Sequence, residues 1–130
     1  MYRLAALLLP LLALACEKEE VVPASALSTW ELSEIYIDPG DGSGDFEPTD
    51  FARTLSFFPD STYRASAPLC AVGTGEGRSA TGRYFPADSM LETTDCSMER
   101  LLTYAIDGTE LTVTYFCDEG CAERYVRVEP

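Results

Sequence analysis

The chain of 130 residues has no histidine and a single lysine, Lys18. Without an imidazole, the Ser–His and Cys–His dyads of nucleophilic catalysis lack their base. A zinc site would have to be assembled from cysteine and carboxylate alone, and no two cysteines stand in Cys-x-x-Cys spacing. Positive charge is scarce throughout: nine basic side chains face 22 acidic ones, a formal net charge of −13. A surface of that sign repels phosphate backbones and anionic lipid head groups, so no nucleic-acid partner is expected. The main apolar run, Leu4 to Ala15, holds twelve residues interrupted only by Pro10. A membrane-spanning helix needs about 20. No long stretch keeps a helical period either. The glycine-rich stretch Gly73 to Gly77 lacks a following Gly-Lys-Ser/Thr and leads into a strand-like run, which excludes a phosphate loop.

What is present begins at the N-terminus. Arg3 precedes the apolar run, Ala13-Leu14-Ala15 puts small side chains at the third and first positions before Cys16, and Glu17-Lys18-Glu19-Glu20 follows. The run has the length of a secretory h-region, roughly 7–15 residues. These residues resemble the lipobox of bacterial lipoproteins, with Ala13 where leucine is usual. The resemblance implies a signal peptide over residues 1–15, acylation of Cys16, and attachment to the bacterial outer membrane at its periplasmic face or on the cell surface. Two or three acyl chains anchor stably where one does not. The competing reading is an ordinary secretory signal with an incidental cysteine. Residues 16–27 then form the lipidated cysteine and a solvated tether. The acidic Glu/Lys cluster is similar to the export signal of lipoproteins of the Bacteroidetes group; a plain spacer would look much the same.

Removal of the leader would leave 115 residues, enough for one domain with a modest core. Four cysteines remain: Cys70, Cys96, Cys117 and Cys121. An even number in an exported chain favours two disulfides, for which three connectivities exist. Cys70–Cys96 with Cys117–Cys121 is the expected set, because the second pair flanks a tight Asp118-Glu119-Gly120 turn.

Short runs rich in Thr, Tyr, Phe, Val and Leu recur every 8–15 residues, separated by Gly, Pro, Asp and Ser. That pattern predicts an all-β meander. Eight strands are expected, over 29–37, 53–58, 62–67, 80–85, 90–94, 101–106, 110–116 and 123–128. In the first, Trp30 and Leu32 share a face before the apolar phase shifts to Ile35 and Ile37, which predicts a bulge near Ser33-Glu34. Leu55 and Phe57, Tyr63 and Ala65, and Leu111, Val113 and Tyr115 are expected to point inward. Gly82 marks a close backbone approach, and Asp107-Gly108 a two-residue hairpin turn. Eight antiparallel strands in sequence can close into a small up-and-down barrel; a two-sheet sandwich is the alternative. An immunoglobulin arrangement fits poorly, since Trp30 precedes both Cys70 and Cys96.

Leu27-Ser28-Thr29-Trp30-Glu31-Leu32, Leu55-Ser56-Phe57-Phe58-Pro59-Asp60, Gly82-Arg83-Tyr84 and the closing Cys117 to Arg127 resemble the bacterial lipocalin-like lipoproteins. Ser28 stands where a lipocalin has glycine two residues before its tryptophan. The resemblance implies a lipocalin-like barrel domain over residues 28–130, with Arg124 or Arg127 packed over Trp30. It also implies a small hydrophobic ligand, for which Trp30, Phe57, Tyr63, Tyr84, Tyr104 and Tyr115 are the candidate lining residues, with Tyr36 a further aromatic. The same side chains could instead fill the core. The chain would then be a structural or interaction lipoprotein with no ligand, acting through its loops.

Two other constellations invite chemistry. Asp41, Ser43 and Asp45 alternate like the ligands of a calcium loop. The pattern then fails, with Phe46 in the glycine position and Ala52 in that of the bidentate glutamate, so a solvated loop from Asp38 to Asp50 is expected and no metal, with a calcium site of another type as the alternative. Asp95 with Glu92 or Glu99 could form a carboxylate pair of glycosidase type, but nothing places such a pair in a cleft. No enzyme activity and no cofactor are expected.

Overall fold

The computed structural model describes residues 27–74, 77–93 and 95–128. The expected signal peptide, Cys16 and nearly all of the expected tether lie outside the described residues.

The described chain is all-β. Nine strands follow in order: β1 (Thr29–Ile37), β2 (Phe46–Pro48), β3 (Thr54–Phe57), β4 (Thr62–Ala65), β5 (Ala80–Phe85), β6 (Met90–Thr93), β7 (Arg100–Asp107), β8 (Glu110–Tyr115) and β9 (Cys121–Val128). Each strand from β3 to β8 pairs antiparallel with the next, β1 pairs with β3, and β1 closes the ring against β9. The result is a closed eight-stranded barrel with one extra strand. Closure leaves no long run of unpaired backbone donors and acceptors among the described strands. The architecture is compatible with a lipocalin-like domain.

The extra strand, β2, falls inside the stretch read from sequence as loop. It lies along the same edge of β1 as β3 does: β3 pairs with Thr29 to Glu31, and β2 with Glu34 to Tyr36. Backbone bonds bridge the gap, from Leu32 N–H to the Arg53 carbonyl (2.9 Å) and from Thr49 N–H to the Ser33 carbonyl (3.1 Å). β2 and β3 thus act as one strand interrupted at residues 49–53. The expected bulge in β1 is present on its other edge, where the register against β9 shifts between Leu32 and Glu34.

Inward alternation builds the core. Trp30, Leu32, Leu55, Phe57, Tyr63, Ala65, Leu111, Val113 and Tyr115 are all buried, as their phase in the strands requires. Gly82 faces Tyr63 across the β4–β5 ladder, and a Cβ there would collide with the Tyr63 ring and the Glu92 carbonyl. The β7–β8 turn runs over Gly108 and Thr109, one residue later than Asp107-Gly108 would place it, because Asp107 still pairs with Glu110. Gly108 supplies the positive φ (58°) that the turn needs.

Register sorts the connections to two ends. At the turn end, residues 58–61, 86–89 and 108–109 join β3–β4, β5–β6 and β7–β8, and the described chain enters at Leu27 and leaves at Val128. The loop end carries the longer connections, at residues 38–45, 49–53, 66–79, 94–99 and 116–120. Both expected disulfides form there. Cys70–Cys96 (Cα–Cα 5.4 Å) ties the β4–β5 loop to the β6–β7 loop, and Cys117–Cys121 (5.8 Å) closes the β8–β9 turn.

Candidate functional sites at the two ends of the barrel

Five of the six candidate lining aromatics, Trp30, Phe57, Tyr63, Tyr84 and Tyr115, are at most 5% exposed, and Tyr104 is half-buried against the same core. The ring of Phe57 meets Tyr84 edge-on (centroids 5.0 Å apart) and lies 5.8 Å from Tyr104 and 6.4 Å from Tyr63. Their hydroxyls are used locally. Tyr63 donates to the Glu92 carbonyl (3.1 Å) and Tyr84 to the Phe58 carbonyl (2.6 Å); burial raises the pKa of both phenols. Trp30, Leu55, Leu91, Leu102, Leu111, Val113 and Tyr125 expose none of their surface. A water-sized void beside any of them would register as exposure, so side chains fill the space around them. Tyr36 points away from this core, in tilted contact with the Phe46 ring of β2 (centroids 5.5 Å apart).

Arg127 lies over Trp30 with its guanidinium carbon 5.2 Å from the ring centroid. Arg124, the other arginine offered by the sequence, turns outward to cover Phe46 (3.7 Å) and bonds to Glu34 (2.6 Å). Beside Arg127 a groove of about 770 Å³ opens at the turn end. Leu27, Thr29, Phe57, Phe58, Arg127 and Val128 define it, and none of its described lining residues is acidic. Leu27, Phe58 and Val128 are 38–41% exposed along it.

The loop end is built around charge. Arg53, at the break between β2 and β3, points into the barrel and meets Glu123 of β9. Both are completely buried. Arg53 Nη1 donates to both Glu123 carboxylate oxygens (2.7 Å each) and to the Tyr115 hydroxyl (3.1 Å). Glu123 Oε2 also accepts from the hydroxyls of Tyr115 (2.7 Å) and Tyr125 (2.6 Å). The β4–β5 loop closes over this cluster. Its Gly73 N–H donates to Glu123 Oε1 (2.9 Å), and Arg53 Nη2 donates to the Thr74 carbonyl and to the Thr74 hydroxyl (3.0 Å). Leu69 of the same loop is buried in the core. Burial first holds both the Tyr115 and the Tyr125 phenols well above their ordinary pKa; next come the coupling to Tyr125 and then Glu123 for Tyr115, and the negative charge of Glu123 for Tyr125. Burial lowers that of Arg53, but the phenols and Glu123 outweigh it and the net direction is upward.

Sequence reading missed Arg53, Glu123 and Tyr125 as a cluster. One signal pointed to it: Cys121, Glu123 and Tyr125 share a phase, which puts a carboxylate on the inner face of the last strand. The acidic loop satisfies itself. Asp38 Oδ1 accepts the amides of Gly40 (2.7 Å) and Gly42 (3.1 Å), which lowers its pKa, and Asp41 accepts that of Ser43 (2.9 Å). Asp38 Oδ2 takes the Tyr36 hydroxyl (3.2 Å). Among the described residues no group of three or more metal-ligating side chains converges. Asp95 accepts the Thr81 amide (3.3 Å) and, like Glu99, is exposed.

No protein-family model matches the chain, no curated protein matches its sequence, and no solved structure matches its fold.

Proposed function

We propose that the protein is a lipoprotein of the bacterial outer membrane, anchored through Cys16, whose lipocalin-like barrel binds a small hydrophobic molecule in the groove at its turn end. The groove carries this reading. Its volume suits a small ligand, its lining is mainly apolar, and it lies outside an interior already occupied by side chains. Phe57 is the one candidate aromatic that lines it. The leader and Cys16 support the anchor, and the described chain enters at the same end, so a tether there would hold the groove toward the bilayer.

Trp30, the chain's only tryptophan, contacts Arg127 of the groove and serves as the reporter. Cis-parinaric acid added to the Cys16→Ser chain should accept energy from Trp30 saturably, at one molecule per chain. Phe58→Asp and Val128→Asp should abolish the signal with the fold intact. Absence of saturable transfer would remove the ligand reading. The anchor is tested separately: Cys16→Ser should move the protein from the membrane to the soluble fraction.

The packed interior favours one other reading, a solid-cored interaction lipoprotein working through its loop end. Copurification of a protein partner dependent on residues 38–50 or 66–79 would support it.

A further inference from the structure

The charged cluster at the loop end does more than packing requires. Two fully buried charges are seldom the most stable way to fill a barrel, since well-packed apolar residues of similar volume often do as well or better. Arg53 and Glu123 nevertheless sit there, 0% exposed. Besides each other and the Tyr115 and Tyr125 hydroxyls, they hold the β4–β5 loop, two of the three bonds being to main chain: Glu123 takes the N–H of Gly73, and Arg53 gives to the carbonyl and the hydroxyl of Thr74. Adjacent donor and acceptor groups of this kind are offered by any stretch of peptide, whatever its side chains. Gly73 lies in the left-handed region (φ 67°), and the point where its Cβ would stand is 3.5 Å from Phe51 and 3.6 Å from Ile35. The site therefore grips backbone between apolar walls. Its capacity is not exhausted, because the buried Arg53 Nε has no hydrogen-bond partner among the described residues.

We propose that the loop end is a recognition site for peptide main chain, occupied in this structure by residues 72–74 of the chain's own β4–β5 loop. The incoming segment would place an N–H on Glu123 and a carbonyl on Arg53, with a further acceptor for Arg53 Nε. Exposed Phe51 and Ile37 near the mouth would flank its side chains. Displacement would lift residues 72–74, including Val72, which packs against the core. Leu69 stays in the core, and the Cys70–Cys96 bond holds the base of the loop. This site is independent of the turn-end groove.

The probe is the loop's own segment as a capped tripeptide, acetyl-Val-Gly-Thr-amide, titrated into the full-length chain carrying Cys16→Ser with both disulfides intact. Gly73→Pro deletes the N–H given to Glu123 and forbids a φ of 67°, so it should vacate the mouth. The Gly73→Pro chain should bind the peptide at least tenfold tighter than the parent, read as amide and tyrosine-ring shifts at Tyr115 and Tyr125. Adding Glu123→Gln should weaken that binding tenfold or more. Equal affinity of both chains, or binding indifferent to Glu123→Gln, overturns the proposal. Should Gly73→Pro fail to fold, hydrogen exchange on the parent decides. Excess peptide should accelerate exchange at Gly73 at least threefold while amides of β8 and β9 stay unchanged, and no acceleration overturns the proposal.

Discussion

Arg53 and Glu123 define the energetics of the barrel at single-residue scale. Each charge is tolerable only because the other is there, so removing one leaves an uncompensated buried ion. Arg53→Met should destabilise by about 3–5 kcal/mol. The double variant Arg53→Met/Glu123→Leu should recover most of that loss, measured by urea denaturation. If the double variant were as unstable as the sum of the singles, the pair would not be coupled. Tyr115 and Tyr125 give a pH signature. Their folded pKa values lie above the unfolded value of about 10, so the native state keeps protons that the unfolded chain releases. Their contribution is complete below about pH 10 and is lost as pH rises beyond it. The melting temperature should fall steeply above that pH, and Tyr125→Phe should make the fall shallower. Only the shared phase of Cys121, Glu123 and Tyr125 hinted at this in the residue order. An isolated glutamate in a strand usually faces water, and Arg53 lies just outside β3, where strand phase does not dictate its direction. The inward positions of Trp30, Leu55, Tyr63 and Val113 were legible, since strict alternation leaves an apolar residue one sensible face.

At the scale of the element, seven strands beyond β1 lie within two residues of their expected ends because Gly, Pro and Asp punctuate them. β2 had no such warning. Three residues, Phe46-Glu47-Pro48, carry too little pattern to announce a strand, and only their pairing with Glu34 to Tyr36 makes them one. The disulfides act on the loops between elements. Cys70–Cys96 closes 26 residues and Cys117–Cys121 only four. In the chain-entropy account the first contributes about 3.5 kcal/mol and the second about 2 kcal/mol. Replacing the first pair by serine should therefore lower stability more than replacing the second, as read from denaturation midpoints. It should also release the β4–β5 loop from Glu123, visible as faster hydrogen exchange at Gly73. The turn-end groove was partly foreshadowed: Leu27 and Phe58 stand beside expected strand ends, but which strands meet there depends on closure of β1 against β9.

Acidic charge governs how the molecule as a whole responds to salt. A formal charge of −13 on so small a chain repels itself, and salt shortens the reach of that repulsion from about 10 Å at 0.1 M to about 3 Å at 1 M. The melting temperature should rise as sodium chloride is raised over that range; a flat response would mean that local donors, such as the loop amides that hold the charged Asp38 carboxylate, already offset the repulsion. The closed ring has one more effect. The open margin that β2 presents is three residues long and ends in Pro48, which has no N–H to offer a neighbour. Copies crowded shoulder to shoulder on a two-dimensional support would find no ladder to extend between them. The barrel is thus built to stay a discrete unit at local densities where open sheets fuse into fibrils.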